Sequence, residues 1–370
     1  MKKNVPIKII NYLILEFCYS LLTVTLVFVC LSLLINFVEE ITFFKDKKEE
    51  NLIVLLSYLS LIKTPNTLLE LSIFIFLFSG IIFFVKIQKN NEINTILLSG
   101  ISKLLPIITI GLFSFVLGIF IISTISPISS NLLKIYEKTK RNYSNDNLIV
   151  INKQGLWFME KLLNEYVIIR ADNIYNNNFS TLSNVTIYNL DENFNFIKRT
   201  DSQKVKISDK KWYLENSLIV SNNDYNEIKN KTYPNLTYNS SINIEDLKEY
   251  FSNANTVSFW EITNSIENLN ERGYSANELK IKLHKYLSLP FYLFGMVLLS
   301  TLFTIAINKE YNTLMYLFFG LIAGFFIFFL NDLSIAVGLS NKLPLVISVW
   351  APVITIVLLS IFNLIKIHEK

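Results

Sequence analysis

The sequence predicts an α-helical integral membrane protein of six spans, arranged 3 + 3, with an all-β jellyroll-like domain inserted between the third and fourth spans. Three observations predict it. A polar stretch, Ile128 to Leu283, separates two strongly apolar blocks. Each block contains apolar runs of bilayer length, such as Leu289 to Ile307. Inside the polar stretch, the hydrophobic pattern alternates with a period of two.

The chain is 51% hydrophobic and 17% charged, with a formal net charge of +4. Its charges are segregated. The polar centre carries equal numbers of basic and acidic residues, so the excess positive charge belongs to the membrane part. That distribution argues against a nucleic-acid footprint. The only cysteines, Cys18 and Cys30, lie about 18 Å apart on the first span at the usual helical rise, too far to pair. The β domain therefore folds without disulfides.

The first span, Tyr12 to Val38, is too long for a signal-peptide core and is read as a retained helix. After a charged loop, Asn51 to Lys63 begins the second hydrophobic region. Thr64-Pro65 reads as a helix restart, with Thr64 as N-cap and Pro65 at the first helical position, and the helix then runs to about Val85. The third span, Leu104 to Ile125, stops at Pro127. These elements set expected boundaries: 1–127 for the first three spans, including a short helix over 89–102, and 128–257 for the β domain. A connecting helix follows over 258–274 and the last three spans over 275–370.

In the β domain, Val185 to Tyr188, Val205 to Ile207 and the runs Gly155 to Phe158 and Tyr166 to Ile169 are short strands bounded by Asn, Asp and Ser clusters. Ser258-x-x-Glu261 and Ser275-x-x-Glu278 both fit a capping box, with Gly273 between them as a helix stop. The helix from Ser275 is expected to run without interruption into the fourth span. The fifth span is about Leu314 to Leu330 and the sixth about Leu345 to Ile365.

Six spans put both termini on one side. Lys2, Lys3, Lys8, Lys86, Lys89, Lys103, Lys309, Lys366 and Lys370 fall on that side, against Lys45, Lys47, Lys48 and Lys342 in the short opposite loops. The positive-inside rule then places the termini in the cytoplasm and the β domain outside.

The chain lacks the chemistry of several enzyme classes. It has no G-x-x-x-x-G-K-[ST] loop, no G-x-S-x-G elbow, and only two histidines, His284 and His368. No metal site, cofactor or covalent reaction is expected, and any ATP-driven work needs a separate ATPase.

The segment Lys86 to Ser102 reads as a short helix with Glu92, Ile93, Ile96 and Leu97 on neighbouring positions, ended by Gly100. It suits insertion into a partner's groove, or it simply links two spans. Lys63 and Glu70, seven residues apart, lie on nearly one helix face within the second hydrophobic region. They either contact a polar headgroup, or Lys63 snorkels outward beside a helix break. Gly320 and Gly324 form a small-xxx-small face in the fifth span, beside Phe325, Phe326, Phe328 and Phe329.

Glu92 to Ser102 resembles the E-[LI]-x-x-x-x-[AS]-x-G-[IVF]-[ST] segment of the LptF/LptG permease family, with Leu98 where a small residue is common. Asn36 to Ile41, Gln154 to Trp157, Leu343-Pro344 and Ser348 to Pro352 also resemble that family, the LptG branch in particular. The resemblance implies a non-catalytic permease subunit of an ABC transporter in the bacterial inner membrane. Such a subunit extracts lipopolysaccharide and passes it to a periplasmic bridge. It implies an LptF-like permease partner, a cytoplasmic LptB-like ATPase dimer that receives the Glu92 helix, and periplasmic LptC/LptA-like jellyroll proteins.

By the same resemblance, Lys45, Lys47 and Lys48 lie where basic residues meet the lipid A headgroup, although Glu39, Glu40, Asp46, Glu49 and Glu50 outnumber them. Asn36 stands where some homologues carry lysine. Gly320 and Gly324 either set lateral-gate packing or pack within the subunit. Trp157, Phe158, Val167 and Ile169 either line an acyl-chain groove or form an ordinary core. Two rival readings of the whole chain are a membrane-anchored sensor or scaffold, and a permease of another ABC system such as lipoprotein export.

Overall fold

The structure, a computed structural model, describes residues 7–45, 51–143, 156–162, 165–174, 181–191, 194–208, 211–222, 228–240, 254–271, 276–304, 313–340 and 342–369. Among them, seven helices are long and apolar enough to cross a membrane, one more than the expected spans. The chain divides into two compact units. One comprises 1–136, 257–262 and 277–370, and the other comprises 137–256 and 263–276.

The helical unit opens with α1 (Ile7–Phe44), 38 residues long. At the usual rise such a helix measures about 57 Å, nearly twice a hydrocarbon core of about 30 Å. The helices α2 (Leu52–Glu70) and α3 (Ser72–Lys89) run back alongside it. Interhelical partners trace the antiparallel pairing from end to end: Glu39 with Lys63, Asn36 with Thr64 and Thr67, and Glu16 with Lys86. Both rods thus keep one direction over their length.

The break between α2 and α3 corrects the sequence reading. Thr64 is not an N-cap, and the helix passes straight through Pro65. Thr64 is 6% exposed and its hydroxyl donates to the Ser60 carbonyl at 2.7 Å, a bond internal to a helix. The interruption falls instead at Leu71 (φ −84°, ψ 0°), where Leu71 N–H still bonds Thr67 O at 3.0 Å and Ile75 N–H bonds Leu71 O at 3.1 Å. Interhelical packing holds the turn that proline weakens, and the irregularity appears six residues later.

Pro127 likewise does not end the third apolar helix. Here α5 (Leu104–Phe120) passes through a π-helical turn, Ile121–Ile125, into α6 (Ser126–Tyr143). Proline has no N–H to give the carbonyl four residues earlier, that of Ser123, and its ring crowds that carbonyl. A π turn widens the backbone there. The Ser123 carbonyl accepts the indole N–H of Trp260 at 3.2 Å, so the group is satisfied from outside its own helix.

Trp260 lies in α7 (Phe259–Glu271), whose N-terminus carries half of the expected capping box: the Glu261 carboxylate accepts Ser258 N–H at 3.3 Å. Gly273 and Ser275 fall outside the described residues. The next helix, α8 (Asn277–Thr304), runs unbroken through Pro290 and buries Leu293, Met296 and Val297 completely. It supplies the centre of the helical core, with α3 and α5 on its flanks. Two further long helices, α9 (Thr313–Leu339) and α10 (Leu345–Glu369), complete the unit.

The second unit carries the expected β-sheet together with the ends of α6 and α7, and α6 continues to Tyr143, past the expected start of the β domain at 128. Its six described strands, β1 (Leu156–Leu162), β2 (Glu165–Ile174), β3 (Thr181–Leu190), β4 (Phe196–Ser208), β5 (Lys211–Asn222) and β6 (Ile228–Asn239), pair in sequence order as one antiparallel meander. The crossed connections of a jelly roll are not present among these strands.

Five of the strands, β2 to β6, each leave one residue out of the ladder. The ladders skip Asp172, Asn184, Gln203, Asn216 and Pro234, which lie in one line across the sheet. Asn184 (φ 48°) and Asn216 (φ 51°) take the left-handed conformation that Asn tolerates better than most residues. The register is the same on both sides of this line, so these are not extra residues in one strand, but the side-chain alternation of β3 and β5 flips across it; the register itself shifts only between Asn189 and Leu190. Leu182 and Val185, on either side of the line, are consequently both buried, as are Leu214 and Ser217.

Candidate functional site

Two regions of the helical unit gather the residues that the sequence singled out. At one end, α4 (Glu92–Leu98) follows α3 after a left-handed Asn91 (φ 57°). Its C-terminus is a full Schellman closure: Gly100 N–H bonds Leu97 O at 2.9 Å and Ile101 N–H bonds Ile96 O at 3.3 Å. Gly100 has φ 78°, which explains glycine at this position.

Glu92 accepts hydrogen bonds from Tyr12 and Asn90, both at 3.1 Å, so the carboxylate is anchored to α1 rather than free. Ile96 is 8% exposed and belongs to the core, and Ile93 packs against it. This corrects the expected set of projecting residues, because Ile96 faces inward. The knob is Leu98, 89% exposed. The one position departing from the family segment is therefore the apolar residue that α4 presents.

At the other end, where α1 finishes, polar groups meet between apolar helices. Lys63 pairs with Glu39, and its ammonium lies 5.7 Å from the centre of the Tyr136 ring. Tyr136 donates its hydroxyl to the fully buried Glu40 at 2.6 Å. Asn36, 2% exposed, bonds Thr64 at 3.4 Å and Thr67 at 3.3 Å. Glu70 accepts from Asn66 at 3.1 Å and lies in the field of Lys285, Lys63 and Asp332. Lys63 and Glu70 thus share a helix but have different partners. Of the expected headgroup lysines, Lys45 is exposed at the end of α1, and Lys47 and Lys48 lie outside the described residues.

The sequence reading missed Tyr136 and Lys282, and it counted Glu40 with the charged loop, whereas Glu40 is buried within α1. Lys282 is 8% exposed and donates to the Val257 carbonyl, with its ammonium 5.2 Å from the Tyr286 ring. In the sequence it is one of three lysines, with Lys280 and Lys285, in the charged first turns of α8, and no local pattern marks it as the buried one. On the same end of α1, Leu34, Ile35, Val38, Glu39, Thr42 and Phe43 form one largely apolar outward face of that helix.

Gly320 and Gly324 face α3. A Cβ on Gly324 would lie 3.1 Å from both Leu77 and Phe74, and one on Gly320 would overlap Ile81. Close packing within the subunit accounts for both. Phe325, Phe326 and Phe329 are more than half exposed, as bulk facing lipid would be, whereas Phe328 packs on Phe74 at 5.5 Å.

In the β unit, Val167 and Ile169 are completely buried in the inner cluster with Val185, Ile187 and Trp212. Trp157 is not with them. It pairs with Arg170 in register, one position from the Phe158–Ile169 pair, and is 48% exposed with the Arg170 guanidinium 5.5 Å from its ring. Adjacent strand residues point to opposite faces, so Trp157 cannot share a groove with Val167 and Ile169.

No curated protein matches the chain. A family model described as lipopolysaccharide export system permease LptF/LptG matches residues 11–366, nearly the whole sequence. The long apolar helices and the β-sheet inserted between them in sequence agree with that match. The chain belongs to the LptF/LptG family of lipopolysaccharide export permeases.

Proposed function

We propose that this chain is an LptG-like permease subunit that pairs with an LptF-like subunit, admits a lipopolysaccharide-type glycolipid laterally and passes it to its β unit. Energy comes from ATP hydrolysed by an LptB-like dimer docked on α4. The β unit hands the lipid to LptC/LptA-like jellyroll proteins. In this reading α2 and α3 cross the membrane once, as a single kinked span, so the chain crosses six times. Both termini and α4 lie in the cytoplasm, and the β unit lies in the periplasm.

The observation that carries the reading is α4. It is a short, firmly closed helix between two spans, rooted by Ile96 in the core and by Glu92 on Tyr12, with Leu98 projecting. A rigid base with one exposed apolar knob transmits force from a partner's groove into α3 and α5. Leu97 adjoins that knob, and Glu92 stands at the opposite end of α4. Val167 and Ile169, completely buried, serve as core of the β unit rather than as the wall of an open acyl-chain groove.

Replacing Leu98 by Asp should strip the ATPase subunit from the complex during purification in detergent without lowering the thermal midpoint of the permease. Glu92→Lys should weaken the same association. If both variants retain stoichiometric ATPase, the coupling role of α4 is wrong. Mass spectrometry of co-purified lipid tests the cargo, and a preparation with no bound glycolipid counts against transport.

A further inference from the structure

The end of α1 nearest α4 is tied twice across the corner between α3 and α4. Tyr12 donates to the Glu92 carboxylate at 3.1 Å, and Glu16 pairs with Lys86. Tyr12 and Glu16 are four residues apart and so share one face of α1. Their partners stand on either side of the left-handed Asn91, where α3 turns into α4. The neighbouring face of α1 carries matching apolar contacts. Leu13 and Phe17 are completely buried in the cluster that holds Phe83, Ile87 and Ile96, and Phe17 packs edge-on against Phe83 at 5.7 Å. If α4 pivots at Asn91, α1 follows or both polar ties part.

Beyond this anchorage α1 is the least buried of the seven long helices, with Leu22, Leu26 and Leu34 each more than half exposed. It is also the one among those seven that contains neither proline nor glycine. Sharp kinks arise at such residues or at π turns, so a 38-residue α-helix without them moves as a rod. At the usual rise Tyr12 and Glu39 lie about 40 Å apart along it. A displacement applied at Tyr12 is carried to the far end rather than absorbed on the way. There it acts on the Glu39–Lys63 and Asn36–Thr67 contacts with α2.

We infer that Tyr12, seconded by Glu16, is a positioning residue that joins α4 to α1. The stroke of a docked ATPase then reaches the far end of the permease along α1, as well as through the core around Ile96. The inference rests on the permease reading above and adds a route to it: Leu98 takes the load, and Tyr12 passes it to a stiff helix.

The test uses the full permease–ATPase complex in lipid nanodiscs, isolated through a tag on the ATPase and free of other cysteines, with Cys18→Ser and Cys30→Ser in this chain. Spin labels on Leu22→Cys in α1 and Leu358→Cys in α10, both exposed positions, report the distance between the two helices before and after vanadate traps the ATPase. Trapping should shift that distance. Tyr12→Phe keeps the ring and removes the donor, and it should cut the shift by about half or more while leaving the resting distance unchanged. Adding Glu16→Gln should remove the shift. An undiminished shift in Tyr12→Phe overturns the inference. So does a resting distance that moves with the substitution, because Tyr12 would then have a structural role alone. A wild-type complex that holds the ATPase but shows no shift overturns the inference and leaves the permease reading standing. Failure to recover the wild-type permease with the ATPase overturns that reading, and the inference with it.

Discussion

The indole N–H of Trp260 donates to the Ser123 carbonyl at 3.2 Å, the group for which Pro127 has no N–H to offer four residues later. One side chain from α7 thereby completes the hydrogen bonding of a π turn inside the longest apolar run after α1. Trp260→Phe keeps the ring and removes the donor. It should lower stability by about 1 kcal/mol, read as a fall in the thermal midpoint in detergent. Pro127→Ala restores the missing N–H and should make the chain insensitive to the Trp260 change. Additive effects in the double variant would disprove the relationship.

The α1–α2 seam at Asn36 offers a second measurement. Hydrogen bonds between membrane helices are worth about 0.6 kcal/mol on average. A double-mutant cycle of Asn36→Ala with Thr67→Ala should show coupling of about that size, and zero coupling would mean that the contacts at 3.3 and 3.4 Å carry no energy.

Gly324 is closed in by Leu77 and Phe74. Gly324→Leu overpacks that contact and should destabilise the helical unit by about 1–3 kcal/mol. Gly324→Ala should be milder because Phe74 and Leu77 need yield only a few tenths of an ångström. Equal stability of the leucine variant would show that α3 and α9 are not held this closely.

Glu261 supplies a pH dependence. Burial raises its pKa, but the hydrogen bonds from Lys134 and from the Ser258 backbone outweigh burial and hold it below the usual carboxylate value. A depressed folded-state pKa contributes stability above the unfolded value, and that stability is lost as pH falls through the folded one. Amide exchange at 258–262 should therefore accelerate on acidification below the ordinary range of glutamate. Glu261→Gln should exchange faster at neutral pH and show little further acceleration in acid. Identical acid profiles in the two proteins would rule out the cap as the titrating element.

The sequence by itself determined the fold class, because bilayer-length apolar runs and a period-two insert leave few alternatives once backbone groups must be satisfied in lipid. It also determined the Gly100 closure, since a Schellman turn is encoded within six consecutive residues. Whether Thr64-Pro65 and Pro127 break their helices was decided by tertiary structure. Proline weakens a helix locally, but packing along α1 carries α2 through Pro65, and Trp260 satisfies the carbonyl that Pro127 leaves exposed. The faces of single residues were decided the same way. Ile96 and Leu98 are equally apolar, and only the packing of α4 on the core made one an anchor and the other a knob. Lys63, a free cation in the sequence, became half of an ion pair because α1 brings Glu39 alongside it, a partnership between residues too distant in sequence for any local pattern to reveal.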